Sequence, residues 1–158
     1  MNWLNRLFRP DQPQQQTSEN DLHRAAAALL LEVARTDGTV DPAESQRLIQ
    51  AVEKRWHLDR QEMDDILTEL ENRVDQATDL FEFTRPLRDH WGPEPRVTLI
   101  EEMWAMAAAD GHADAHEEHL IRRVSDLLYV SHGDYIRAKL KAVNSEQRAS
   151  GVFQVLNV

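Results

Sequence analysis

Apolar residues recur along this chain at spacings of three and four, in segments separated by short polar breaks that carry Gly, Pro or an acidic cap. Leu22, Ala26, Leu29, Leu30 and Val33 follow that spacing in an Ala-rich run of high helix propensity. They predict a first helix from Ser18 or Glu19 to Thr36, stopped at Gly38. Asp41-Pro42-Ala43-Glu44 has the form of a helix start, with Asp at the cap and Pro at the first helical position. The helix it opens turns Leu48, Ile49, Val52 and Trp56 inward. Asp59 and Glu62 repeat the capping pattern for a third helix, with Met63, Ile66, Leu67, Leu70 and Val74 as its buried stripe. Residues 78–91 place Leu80, Phe81, Phe83, Leu87 and Trp91 at helical spacing, although Pro86 must kink or end that helix.

Gly92-Pro93-Glu94-Pro95 is the clearest break. Beyond it, Val97, Leu99, Ile100, Met103, Met106 and Ala107 mark a helix that ends at Asp110-Gly111. Leu120, Ile121, Val124, Leu127 and Leu128 mark the next. Ser131 with Asp134 opens the last, through Tyr135, Ile136, Leu140 and Val143. Trp56, Trp91 and Trp104 fall at helix positions suited to core packing. Seven helices and no strand predict an all-α fold, a helical bundle.

The bundle is expected to consist of two related helix-loop-helix repeats. Asp37-Gly38-Thr39-Val40-Asp41-Pro42-Ala43-Glu44 and Asp110-Gly111-His112-Ala113-Asp114-Ala115-His116-Glu117 both read D-G-x-x-D-x-x-E, 73 residues apart. Upstream, Leu30, Val33 and Ala34 fall opposite Met103, Met106 and Ala107, as an internal duplication would leave them.

The folded domain is expected over residues 19–143. Before it, residues 10–18 hold two prolines, four glutamines and no apolar side chain, a disordered linker by composition. Residues 1–9 put Trp3, Leu4, Leu7 and Phe8 on one side of a short amphipathic segment, with Arg6 and Arg9 on the other. This leaves open a foot on a membrane surface beside a frayed end. Residues 144–158 form a C-terminal tail.

Composition narrows the function. With 158 residues, a compact chain buries roughly 70% of its unfolded surface, enough for a core without staples. The absence of cysteine excludes disulfides, thiolate metal sites and cysteine nucleophiles. A formal charge of −10 argues against a nucleic-acid surface, which draws its affinity from clustered Lys and Arg. No apolar run reaches transmembrane length and no secretory signal opens the chain, so a cytoplasmic protein is expected, membrane-associated only through residues 1–9. No phosphate loop, nucleophile elbow or HExxH motif is present, and the expectation is a protein that is not an enzyme.

Capping explains much of the repeated acidic pattern. Asp41 with Glu44, and Asp114 with Glu117, suit capping boxes, and Gly38 and Gly111 suit helix stops. Asp37 and Asp110 do not fit that account. Each follows the C-terminal end of a helix, where the dipole disfavours an anion by roughly 0.3–1 kcal/mol. One loop offers three carboxylates, too few for the six to eight oxygens of Ca²⁺; two loops together offer six. The candidate metal ligands are therefore Asp37, Asp41, Glu44, Asp110, Asp114 and Glu117, and the ion is Ca²⁺ or Mg²⁺ because every ligand is an oxygen. A zinc site from His112, His116 and His119 with Glu117 is the weaker alternative. The first repeat has Thr39, Ala43 and Gln46 at the positions of the histidines, and exposed histidines on an acidic helix account for them.

With these residues in view, the chain resembles the tellurite-resistance protein B (TerB-like) family. The resemblance rests on ARTDGTVDPAE at 34–44, AAADGHADAHEEHLIRRVSDLL at 107–128 and YVSHGDYIRAK at 129–139, and covers residues 20–143. It implies an all-helical bundle without known catalytic activity, whose paired loops form a cation-binding surface from the same six acidic residues. It also implies an association with tellurite resistance and stress response; a similar domain occurs in some membrane-anchored DnaJ co-chaperones. The expected function is a divalent-cation-binding interaction module with an unidentified protein partner. The alternative is an acidic adaptor that docks a basic partner without metal, its loops only capping helices.

Overall fold

Ala25, Ala26, Ala27 and Ala28 follow one another, and none is more than 1% exposed. Successive helical positions turn by about 100°, so four buried in a row cannot lie on one face. The helix that carries them, α1 (Glu19–Thr36), is enclosed by other helices. Leu22, Ala26, Leu29, Leu30 and Val33, read from their spacing, are all buried, and Ala25, Ala27, Ala28 and Leu31 are buried along with them.

The computed structural model describes residues 19–36, 42–72, 80–108 and 115–147. Around α1 stand α2 (Pro42–Trp56), α3 (Arg60–Asn72), α4 (Phe81–His90), α5 (Pro93–Ala107) and α6 (Ala115–Leu127), each packed against it. The last helix, α7 (His132–Gln147), lies chiefly along α5. No strand occurs among the described residues, and the fold is all-α. None of the described helices is long and apolar enough to cross a membrane. Residues 1–9, the 10–18 linker, Val74 and residues 148–158 lie outside the described residues.

Most of the expected stripes are buried. Val52 and Trp56 of α2, Met63, Ile66 and Leu70 of α3, and Leu99, Ile100 and Met103 of α5 are in the core, with Ile121, Val124 and Leu128 at α6. Trp104 is buried and meets the Tyr135 ring edge-on at 5.9 Å, while Trp56 stacks on the half-buried Trp91 at 5.9 Å and 15°. Within the stretch read as helical over 78–91, α4 forms at Phe81–His90, and Pro86 does not end it: Phe83 and Leu87 are buried on either side of the proline. Helix α5 starts at Pro93, before the expected Val97. Gly92 is the extended cap and Pro93 occupies the first turn, where a missing N–H costs nothing.

In α7 one expectation fails. Leu140, read as inward, is 53% exposed, whereas Tyr135, Ala138 and Ala142 are buried. The buried face of α7 is thus formed by Tyr135, which meets Trp104 of α5, with the small Ala138 and Ala142, and not by Leu140. The helix also runs on to Gln147, into the segment read as tail.

The same turn occurs twice in the described residues. After α2, His57 takes φ 55° and the Leu58 N–H reaches back to the Glu53 carbonyl at 2.9 Å. After α6, Tyr129 takes φ 59° and the Val130 N–H reaches the Ser125 carbonyl at 3.0 Å. Both are Schellman endings with a non-glycine residue in the left-handed position. Each leads into a capped helix. The Asp59 carboxylate accepts from the Glu62 N–H at 2.8 Å while Glu62 accepts from the Asp59 N–H at 3.0 Å, and Ser131 Oγ accepts from the Asp134 N–H at 3.2 Å.

Charged side chains join the elements. Arg24 of α1 donates to Glu62 of α3 at 2.6 and 3.1 Å and to the fully buried Asp21 at 2.9 Å. Arg55 of α2 pairs with Glu102 of α5 at 2.5 Å, and Lys141 and Lys139 of α7 pair with Glu101 of α5 and Glu118 of α6. Arg96 of α5 donates to the Arg88 carbonyl at the end of α4 (2.5 Å) and to the Leu128 carbonyl at the end of α6 (3.2 Å). A cation is favoured at both of those helix ends.

Candidate functional site

Each acidic segment joins two helices that pack on each other, the first α1 to α2 and the second α5 to α6. Asp37 directly follows Thr36, the last residue of α1. Asp110 follows the α5 cap, Ala108, by two residues. The leading helices α1 and α5 also pack on each other. Of the six candidate ligands, Asp37, Asp41, Asp110 and Asp114 lie outside the described residues. Glu44 belongs to the first turn of α2, and its side chain is likewise outside the description.

Glu117 is the candidate whose side chain is described. It is the third residue of α6 and only 4% exposed, although it is charged and sits in a first turn that could have faced water. Burying a carboxylate is costly unless it is partnered, and Glu117 does have an interaction within the protein. The capping pattern accounts for an acid at this position but not for its burial. Its neighbour Glu118 stays half-exposed, 3.6 Å from the Lys139 ammonium.

Among the described residues, no group of three or more His, Asp or Glu side chains converges as a metal site would. His116 and His119 are exposed, one turn apart, while Glu117 is buried. His112 lies outside the described residues. The described part of the zinc alternative therefore matches exposed histidines on an acidic helix.

Two glutamates elsewhere have perturbed carboxyls. Partial burial raises the Glu62 carboxyl, but the Asp59 amide, Asn20 and Arg24 outweigh it and hold the group below its ordinary value. At Glu102 burial wins over the facing Arg55 guanidinium and the carboxyl is raised. The first belongs to a structural junction between α1 and α3. A signal for it was present in the sequence, since Asp21 and Arg24 stand one turn apart immediately before the apolar run that begins at Ala25.

The family profile of tellurite resistance protein TerB matches residues 23–140. The chain belongs to the TerB family. The match takes in α1 from its second turn through most of α7, and so includes both acidic segments. No curated protein and no solved structure matches the chain significantly.

Proposed function

We propose that this TerB-family chain is a non-enzymatic module that binds Ca²⁺ or Mg²⁺ through Asp37, Asp41, Glu44, Asp110, Asp114 and Glu117, and serves a tellurite-resistance or stress-response system through a protein partner. The observation that carries this reading is the direct packing of α1 on α5. The helices that run into the two acidic segments are thereby parts of one body, and six carboxylates on one body match the oxygen demand of a hard cation. The burial of Glu117 adds to it, because a site that excludes water strengthens an ion–carboxylate contact. A cytoplasmic location, and a membrane contact through residues 1–9, belong to the same proposal.

Thermal melting in the presence of each ion tests it. A cation at a hundred times its Kd stabilises the folded form by about 2.7 kcal/mol, a rise of about 5–10 °C for a domain of this size. The wild type should show that rise and the Asp37→Asn/Asp110→Asn variant should not. No rise with either ion would instead favour the metal-free adaptor, whose acidic face docks a basic partner.

A further inference from the structure

A cavity of about 160 Å³ opens where the end of α6 meets the start of α7, lined by Arg122, Ser125, Asp126, Val130, His132 and Tyr135. Ser125 and Tyr135 are buried and form its inner wall, while Arg122, Asp126 and His132 stand exposed around it. Taking about 30 Å³ as the share of one water in the liquid, the space holds about five waters, room for a phosphate or a short carboxylate.

The groups around it set one guanidinium, Arg122, and two hydroxyls against the Asp126 carboxylate, with the Glu118 charge also acting on the Tyr135 phenol. Among the described residues the buried Tyr135 hydroxyl finds no acceptor for its proton, while the Arg122 side chain can donate to its oxygen. The guanidinium carbon of Arg122 lies 5.7 Å from the centre of the Tyr135 ring, and His132 stacks on that ring at 6.3 Å. A guanidinium carries donors alone, so its nearness cannot satisfy the phenolic O–H. Burial pushes the phenol up despite the opposing effect of Arg122, so it stays protonated at neutral pH and keeps a proton to donate. The rim also includes the opening turn of α7. Ser131 occupies the Asp134 and Tyr135 amides, whereas the first amides of a helix, here those of His132 and Gly133, have no acceptor within it.

We propose that this cavity binds the oxyanion of a small molecule, a carboxylate or a phosphate. Arg122 and the opening amides of α7 hold it, and the Tyr135 hydroxyl becomes a further donor when Arg122 swings off the ring toward the ligand. Arg122 is exposed, so that movement displaces no core packing. The ligand oxygen supplies the acceptor that the hydroxyl lacks. Asp126 opposes the anion from the rim and limits its affinity. This site takes an anion on donors, whereas the acidic segments would take a cation on acceptors, and neither reading depends on the other.

Amide NMR titration of the full chain with inorganic phosphate, and separately with acetate, at constant ionic strength tests this. Saturable shifts are expected at His132, Gly133 and their neighbours. Saturation by one anion alone assigns the ligand class, and saturation by both assigns a general oxyanion site. Arg122→Gln should weaken binding by about tenfold or more, and Tyr135→Phe, which keeps the ring in the core, by about threefold. Asp126→Asn should tighten it by about threefold, a gain that loss of folding cannot imitate. Shifts that stay linear with concentration, or saturation indifferent to Arg122→Gln and Asp126→Asn, would overturn the proposal.

Discussion

The stretches before and after Gly92, of four and three helices among the described residues, use the same left-handed turn, yet they bury their leading helices to different depths. Helix α1 is packed by five neighbours, whereas α5 keeps a polar side on which Glu101 and Glu102 pair with Lys141 and Arg55. With the 73-residue displacement, those two glutamates stand where α1 has Ala28 and Leu29. Two positions thus separate a helix that others surround from one that remains partly open and is held by ion pairs.

The sharpest way to break this comparison is to hollow out the centre. Leu29→Ala should cost about 2–5 kcal/mol, read as a shift of the denaturant midpoint at constant slope. Leu140→Ala on the exposed side of α7 should stay within about 0.5 kcal/mol. Similar costs at the two sites would remove α1 from its central role.

Next in size is the junction between α1 and α3, which has no like after the second turn: Glu62 answers to Arg24 on another helix, whereas Asp134, at the same place in its capped helix start, pairs with Arg137 on its own helix. Arg24→Met leaves Asp21 and Glu62 without their cation and should cost about 3 kcal/mol. Asp134→Asn should leave the melting temperature nearly unchanged. Because the folded Glu62 carboxyl lies below its usual value of 4.5, its contribution is complete above that pH and is lost as pH falls through the folded value. Acid titration of stability should therefore show a shallower loss in Arg24→Met than in the wild type.

The smallest effect separates the two turns. A left-handed non-glycine residue costs roughly 1–2 kcal/mol, so His57→Gly should raise stability by about 0.5–1 kcal/mol once the freer unfolded chain is counted. Tyr129→Gly should gain less, since it gives up the Arg88 guanidinium 5.2 Å above the Tyr129 ring. Equal gains would mean that the Arg88 contact contributes nothing.

Element order was legible because α2, α3, α5 and α6 carry large apolar residues at helical spacing, and the Asp59–Glu62 box marks its helix start without ambiguity. The face of α7 was only partly legible, because beside Tyr135 its buried positions are Ala138 and Ala142, and alanine reads as neutral in a pattern of large residues. Full enclosure of α1 was hidden for the same reason. In the acidic segments the pattern identified Glu117 as an acid at a helix start. Its burial depends on how α6 packs against α1 and α5, which spacing along one helix cannot reveal. The cavity beside Tyr135 gave no pattern at all: its groups come from two helices and a turn, at positions with no common period.

The Arg96 side chain gathers the carbonyl ends of α4 and α6, one belonging to the stretch before the central break and one to the stretch after it. A ring of polypeptide is closed there by a single guanidinium, at a junction where only Trp91 and Gly92 separate consecutive helices. Tandem repeats usually peel from one end, each module opening with its own free energy. Here Arg96 ties the end of α4 to the end of α6, so parting the two stretches breaks at least one of these bonds and their opening is coupled.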